Sequence, residues 1–344
     1  MYACKWLGAI TLCLTATLAQ GAGIRAIDIP ASADGPALKG AVWYLCSQSP
    51  EKVDLGKITL PGVKDCPLPD KNLPLIVVSH GRRGNFIGHY DTYEVLADAG
   101  FIVAAINHPG DTVLDLSRTD DLSIYVERPN DIKRLIDFMV GASPLASNID
   151  RERIGIFGFS RGGYTGLAVI GANPDWASAT DLCQQSTTRV CEQIRAKEFP
   201  GQPVTHDPRI KAAVIADPLT VFFTPNSFGA VGIPVQLWAS ELGGDGVLPH
   251  TADIVDKSLP SKHEYRVVPS ALSARAGEGS PADMRRCQRL RPGCLPPAIR
   301  RGCARILSDT PDERTAMKQE MSARTNRVFL NPAPGNSSRC RLSS

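Results

Sequence analysis

IGIFGFSRGG, residues 154–163, decides the fold. An apolar run that favours a strand leads directly into the pattern G-x-S-x-G at 158–162, and a helix-forming segment follows. In such a turn the serine takes a strained backbone conformation with its hydroxyl exposed, and the glycines let strand and helix approach closely. The pattern predicts Ser160 as a nucleophile, with the backbone N–H of Arg161 as one oxyanion donor.

Short β-branched runs alternate with helical stretches around this turn, which is typical of a mostly parallel sheet flanked by helices. Strands are predicted at 74–79, 101–107, 154–157, 212–216, 235–239 and 264–268, and helices at 91–99, 129–140, 162–171 and 251–259. Pro129 is expected in the first turn of its helix. Residues 173–208 are too long for a plain connection, so a lid is expected there. One α/β domain over 22–344 is the simplest interpretation.

A second oxyanion donor is expected where the strand at 74–79 ends. The segment HGRRG, residues 80–84, follows that strand directly. The backbone N–H of Arg82 is the expected donor, and Gly81 lets the chain approach a substrate. His80 and His108 are interpreted as structural histidines rather than as catalytic bases.

Four motifs between Pro74 and Gly171 carry a family resemblance: SHGRRGN, AINHPGD, RPNDI and GIFGFSRGGYT. Together they resemble the predicted dienelactone hydrolase and platelet-activating-factor acetylhydrolase branch of the α/β hydrolases. The likeness extends through 210–218 and 234–268. It implies an α/β-hydrolase fold and hydrolysis of a small-molecule carboxylic ester through an acyl-serine intermediate, with no cofactor and no metal. Dienelactone hydrolases proper use cysteine, so this chain resembles the serine members.

Two acids follow Ser160 in the order that the fold requires for a catalytic triad. Asp217 directly follows the strand at 212–216, and Asp245 lies in the loop after the strand at 235–239. Either carboxylate could orient and stabilise an imidazole. Asp245 is the favoured acid, because its GGDGVLP loop resembles the acid loop of dienelactone hydrolases, and Asp217 remains the alternative.

The general base of the triad is harder to assign to a residue. The family carries its histidine just after the strand at 264–268, usually as Ala-x-His-Phe, whereas this chain reads VPSALS over 268–273. No histidine follows His263, which precedes that strand and should lie at the opposite end of the sheet. His250 is the possible surrogate base. Without a base in reach, a weak or inactive esterase with an intact fold is expected.

Residues 271–307 have an abnormal composition. They contain eight arginines and three cysteines, but no Val, Phe, Tyr, Trp or His. Such a segment buries little surface and is expected to stay largely disordered. A pair of compensating frameshifts that replaced the histidine is one hypothesis, and a genuine basic loop is the rival. A plausible amphipathic helix is predicted at 317–329.

The N-terminus predicts export. Lys5, an apolar run over 6–18 and the small-x-small pattern at 19–21 are typical of a signal peptide over 1–21, after which no further membrane span is expected. Exported cysteines favour disulfides, and the spacings of Cys46 with Cys66 and of Cys183 with Cys191 allow local bridges. The sequence indicates no disulfide pairing for the remaining cysteines, Cys287, Cys294, Cys303 and Cys340.

Composition limits the remaining function classes. The formal net charge is only +3 over 344 residues, so no nucleic-acid partner is expected. Besides an exported esterase, two alternatives stay open: an inactive α/β-hydrolase that acts as a scaffold or binds a small ligand, and a serine peptidase on the same fold. The sequence does not predict the oligomeric state.

Overall fold

The computed structural model describes residues 21–56, 58–243, 251–260 and 263–268. Several predictions fall outside these residues: most of the signal peptide, the Asp245 acid, the surrogate base His250, the 271–307 segment and the helix at 317–329. The four cysteines from Cys287 onward also fall outside. They stay predictions.

In the described residues, ten strands form one mixed sheet in the order β10-β9-β8-β7-β5-β6-β2-β1-β4-β3. The strands from β5 to β10 pair in parallel. Strand β2 is antiparallel to both β1 and β6. The bounds are β1 Gly23–Ile29, β2 Leu38–Tyr44, β3 Glu51–Asp54, β4 Thr59–Lys64, β5 Leu73–Ser79, β6 Ile102–Ile106, β7 Ile149–Phe159, β8 Ile210–Ala216, β9 Val235–Ser240 and β10 His263–Val268. The mostly parallel α/β sheet predicted from the sequence is confirmed.

Helices cover both faces of the sheet. Helices α2 and α3 contribute to one apolar cluster, and α1 contributes to the other. Both clusters use strand side chains, since parallel strands that are buried on both faces are apolar throughout. The bounds are α1 Tyr90–Asp98, α2 Ile124–Val140, α3 Arg161–Val169, α4 Arg189–Ala196 and α5 Thr251–Ser258.

Helix α2 begins five residues earlier than predicted, and Pro129 lies inside it. The first backbone amides of α2 donate to carbonyls three residues back, as Ile124 does to Asp121 and Tyr125 to Leu122. This tight first turn extends the helix on the N-terminal side of Pro129. The prediction of Pro129 in the first turn was therefore wrong.

Two disulfides close local loops, as the cysteine spacings allow. Cys46–Cys66 joins the end of β2 to the segment after β4. A crosslink over about 20 residues stabilises a fold by about 3 kcal/mol in the chain-entropy account. Cys183–Cys191 lies within 173–208 and connects the loop before α4 to that helix. No helix in the described residues is long and apolar enough to cross a bilayer.

Candidate active site

The turn between β7 and α3 holds Ser160 in a strained conformation. Its φ is 54° and its ψ is −116°, outside the regions that residues other than glycine normally occupy. Strain of this kind costs about 1–3 kcal/mol and persists only where the surroundings impose it. The Ser160 side chain is partly exposed at the carboxyl edge of the sheet.

Backbone contacts impose this conformation. The Ser160 N–H donates to the Ala216 carbonyl at 2.9 Å, and the Ser160 carbonyl accepts from Gly163 at 2.8 Å and Leu219 at 3.0 Å. A Cβ on Gly162 would lie 1.9 Å from the Ser79 carbonyl oxygen, and one on Gly158 would lie 2.2 Å from the Gly162 carbonyl oxygen. The two glycines of the motif are therefore steric requirements.

The loop after β5 lies beside Ser160. A Cβ on Gly81 would be 3.5 Å from Ser160 Cβ and 3.3 Å from the Phe159 ring. The backbone N–H groups of Arg82 and Arg161 have no acceptor within the described part of the chain. Both amides are thus available to a substrate oxygen, and their role as oxyanion donors stays a prediction.

His80 fixes the orientation of one of these amides. Its Nδ1–H donates to the Gly81 carbonyl at 2.7 Å, and its Nε2 accepts the His108 backbone N–H at 3.2 Å. The Gly81 carbonyl and the Arg82 N–H belong to one planar peptide group, so a bond that holds the first also orients the second. Burial, and then the charge of Arg128, lower the pKa of His80 to about 3. The imidazole is neutral and has a positioning role.

A buried charge network supports both sides of the turn. Arg128, with a fully buried side chain, donates to Asp111 at 2.6 Å, to Ser79 Oγ at 3.2 Å and to the His80 carbonyl. Arg161 donates to the same Asp111 at 2.9 Å. Burial raises the pKa of Asp111, but the two arginines outweigh it and hold that pKa at about 2. The network ties the loop after β5 to the first residue of α3.

A second serine–histidine–aspartate chain lies in the core. His108 Nε2 is 3.0 Å from Ser79 Oγ, and His108 Nδ1 is 3.0 Å from Asp131 Oδ2. Ser79 and His108 are fully buried, so substrate has no access to this hydroxyl. Burial raises the pKa of Asp131 to about 7 and lowers that of His108 well below its usual value. The chain is structural.

Asp217 lies at the same sheet edge as Ser160. It follows β8, has a φ of 45°, and its N–H donates to the Trp238 carbonyl at 2.8 Å. Its carboxylate accepts the backbone N–H and the hydroxyl of Ser240, both at 2.6 Å. Ser240 ends β9 and pairs with Val268, the last residue of β10. Asp217 therefore faces the edge from which a histidine after β10 would come.

No imidazole in the described residues bonds to the Ser160 hydroxyl. His263 begins β10 at the opposite end of the sheet and bonds Asp256 at 3.0 Å, and His206 is exposed. His89 was overlooked in the sequence: its ring contacts the Phe159 ring edge-on, with centroids 5.0 Å apart. Desolvation lowers the pKa of His89. Its place at the start of α1, just after the Gly81 loop, is the signal that could have found it.

The described residues contain no cluster of three or more His, Cys, Asp or Glu side chains that could hold a metal ion.

The parallel sheet order, the strained serine between β7 and α3 and the amide-bearing loop after β5 together define an α/β-hydrolase fold with the architecture of a serine hydrolase. Residues 89–180, which include Ser160, match the Prolyl oligopeptidase family. The matched segment ends before β8, so it does not include the acid side of the site. The dienelactone hydrolase branch is not confirmed.

Two solved structures resemble the chain at low identity. A ferulic acid esterase from Streptomyces cinnamoneus superposes with a TM-score of 0.48 and 19% identity, covering 74% of each chain. An acylaminoacyl peptidase from Pyrococcus horikoshii gives a TM-score of 0.46 and 16% identity, covering 76% of this chain and 39% of the peptidase. No curated protein matches the sequence.

Proposed function

We propose that this protein is an exported serine esterase that cleaves carboxylic esters of small molecules through an acyl-Ser160 intermediate. The observation that carries the proposal is the strained Ser160 beside Gly81, with the Arg82 and Arg161 amides available. Export is supported by the signal-like N-terminus and by the two disulfides.

The proposed chemistry follows from this arrangement. Ser160 Oγ attacks the ester carbonyl, and the negative charge that develops on the carbonyl oxygen is held by the Arg82 and Arg161 N–H groups. The Ser160 proton passes through a base to the departing oxygen, so the alcohol leaves and an acyl-serine remains. Water then attacks the acyl carbon, which releases the carboxylic acid and returns a proton to Ser160. The positive end of α3, which begins at Arg161, stabilises the same charge.

Proton transfer is the weak part of this site, so we expect slow turnover. A positioned general base contributes about 10²- to 10⁴-fold to such a step. His250 and His89 are the candidates to supply it, with Asp245 or Asp217 as the acid. A pH–rate profile of the wild type that keeps its shape in both His250→Ala and His89→Ala would exclude both imidazoles.

The test of the proposal is labelling of the purified protein with a fluorophosphonate probe, together with hydrolysis of p-nitrophenyl acetate. Wild type should be labelled and active, and Ser160→Ala should be neither. If wild type behaves like Ser160→Ala in both assays, the protein is an inactive scaffold or a ligand binder.

A serine peptidase is the second candidate, and the match to the Prolyl oligopeptidase family favours it. Peptide p-nitroanilides and p-nitrophenyl esters of the same acyl group separate the two functions. Efficient cleavage of the anilides in addition to the esters would replace the esterase proposal with the peptidase, and cleavage of the esters alone would support the esterase.

A further inference from the structure

A cavity of about 320 Å³ lies between the nucleophile turn and the segment 173–208. This volume is at the lower end of small-molecule sites, which span about 300–1,000 Å³. Arg82 and Arg161, whose backbone amides form the proposed oxyanion hole, both line it. Leu219, which also lines it, donates its N–H to the Ser160 carbonyl at 3.0 Å. The cavity therefore lies beside the backbone of the nucleophile turn.

Most of the remaining wall is apolar. Two aromatic residues, Tyr125 and Phe222, pack edge-on against each other with ring centroids 4.7 Å apart. Aliphatic side chains from both sides of the cavity complete this wall: Leu182, Val190, Ile194 and Val221. A ligand that fills the cavity would exchange water contact for hydrocarbon contact.

The outer wall is built as a fixed structure. The disulfide Cys183–Cys191 itself lines the cavity and ties the loop to α4. Gln193, on α4, accepts the Leu122 backbone N–H through its side-chain oxygen at 2.8 Å. These contacts fasten the segment to the body of the domain, so the cavity has a defined size.

The charged groups in the lining are already paired. Arg82 bonds Asp120 at 2.6 Å, and Arg161 bonds Asp111 at 2.9 Å while its guanidinium lies 5.0 Å from the centre of the Tyr125 ring. Asp120 is itself part of the lining, so a negatively charged ligand would meet its carboxylate. The cavity suits a neutral apolar group better than an anionic one.

We propose that this cavity binds the acyl chain of the substrate, and that it selects neutral esters with an apolar acyl chain. This proposal rests on the proposed function for the identity of the ligand as an acyl group. Residues 173–208 then act as a lid that sets chain length through Leu182 and Val190.

Binding measured without turnover tests the cavity separately from the chemistry. Ser160→Ala protein is titrated with 2-butanone, 2-hexanone and 2-octanone, which are neutral and not hydrolysed, and binding is followed by ligand-observed NMR. Affinity should rise about fourfold for each added methylene, since each buried methylene contributes that factor. An affinity that does not change with chain length would overturn the proposal.

Three variants in the Ser160→Ala background locate the site. Val190→Trp fills the cavity and should remove the chain-length dependence. Glu192→Trp places the same ring on the exposed part of α4 outside the lining and should bind like the parent. Leu182 is 68% exposed, so Leu182→Asp should fold normally and should weaken 2-octanone binding at least fivefold. Parent-like binding by Val190→Trp or by a folded Leu182→Asp contradicts the assignment.

A charged competitor and an ester series complete the test. Octanoate should bind more weakly than 2-octanone. Tighter binding of octanoate would contradict the proposal that the cavity prefers neutral ligands. In wild type, kcat/KM for p-nitrophenyl esters should rise with acyl length in the same ratio as ketone affinity. If wild type hydrolyses no ester although ketone binding behaves as expected, the proposed esterase function fails and the cavity assignment stands.

Discussion

The two halves of the candidate site differ in how completely the described residues build them. On the β5–β7 side, Ser160, the Gly81 loop and the network of Arg128, Asp111 and Arg161 are all in place. On the β8–β10 side, Asp217 is positioned by Ser240, but no imidazole stands between it and Ser160 within the described residues.

In the proposed mechanism, stabilising the oxyanion and transferring the proton depend on separate parts of the fold. The oxyanion side uses backbone amides fixed by glycines and buried arginines, which form as the sheet folds. In the family that the sequence resembles, the proton-transfer side depends on one histidine after the last strand, so a change in a single segment could remove it while the rest of the site stays folded. A residual 10³- to 10⁴-fold rate enhancement over water is typical of serine hydrolase sites that keep the oxyanion hole and substrate binding but lose a triad residue.

The strongest way to break the oxyanion side is Gly162→Ala. The new Cβ would lie 1.9 Å from the Ser79 carbonyl oxygen, which is backbone and cannot move aside alone. We expect a loss of more than about 4 kcal/mol in the free energy of unfolding and no fluorophosphonate labelling. Urea unfolding measures the first and gel fluorescence the second.

Gly229→Ala is the matched control. Gly229 has a φ of −56°, and a Cβ there would meet nothing within 4 Å. It should be neutral or slightly stabilising. Equal effects of the two substitutions would mean that the turn is not as closely packed as described.

Arg128→Met tests the buried charge network that Arg128 forms with Asp111 and Arg161. It removes a fully buried partner of Asp111 and leaves that carboxylate with Arg161 as its remaining arginine partner. Breaking a buried pair from one side costs about 3–5 kcal/mol. Lys133→Met, on the same helix, breaks an exposed pair with Asp137 and should cost less than about 1 kcal/mol. Denaturation curves that shift equally for both variants would contradict a supporting role of the network.

Adding a histidine after β10 tests whether the proton-transfer side of the site lacks only its base. In the family resemblance, the histidine of Ala-x-His-Phe falls at Ser273, two residues after Ala271. If this side lacks only its base, Ser273→His should raise kcat for p-nitrophenyl acetate by about 10³-fold, while Ser273→Gln should not. Adding Asp245→Asn or Asp217→Asn to Ser273→His then identifies the acid as the one whose loss removes the gain. No gain with Ser273→His would mean that more than the base is missing.

The oxyanion side was also the more predictable part of the sequence. The turn at Ser160 and the loop at Gly81 are encoded by neighbouring residues, so local pattern was sufficient for them. Parallel strands such as β5 and β6 could be predicted because they contain continuous apolar runs, whereas β10, HEYRVV, is more polar. Strands β1–β4 were not predicted, since their antiparallel and edge positions depend on pairing with distant segments.

Tertiary contacts explain the remaining differences. Asp131 is buried against His108 because α2 begins earlier than predicted and packs on β5 and β6. The Arg128–Asp111–Arg161 network joins residues 17 and 50 positions apart, and no spacing rule predicts it. The contact of His89 with Phe159 forms only on folding, so the position of His89 just after the loop at Gly81 was the one local signal for it.

The smallest expected effect concerns pH and the neutral His80 that orients the Arg82 amide. Burial and Arg128 hold its pKa at about 3, against about 6.5 in an unfolded chain. Between these values the unfolded chain binds a proton that the folded chain does not, so stability is complete above about pH 6.5 and is lost as the pH falls toward 3. Between pH 7 and pH 4, wild type should therefore lose roughly 3 kcal/mol more than His80→Gln. Urea unfolding at four pH values measures this, with the exposed His206→Gln as control; parallel curves for wild type and His80→Gln would show that His80 is not held neutral.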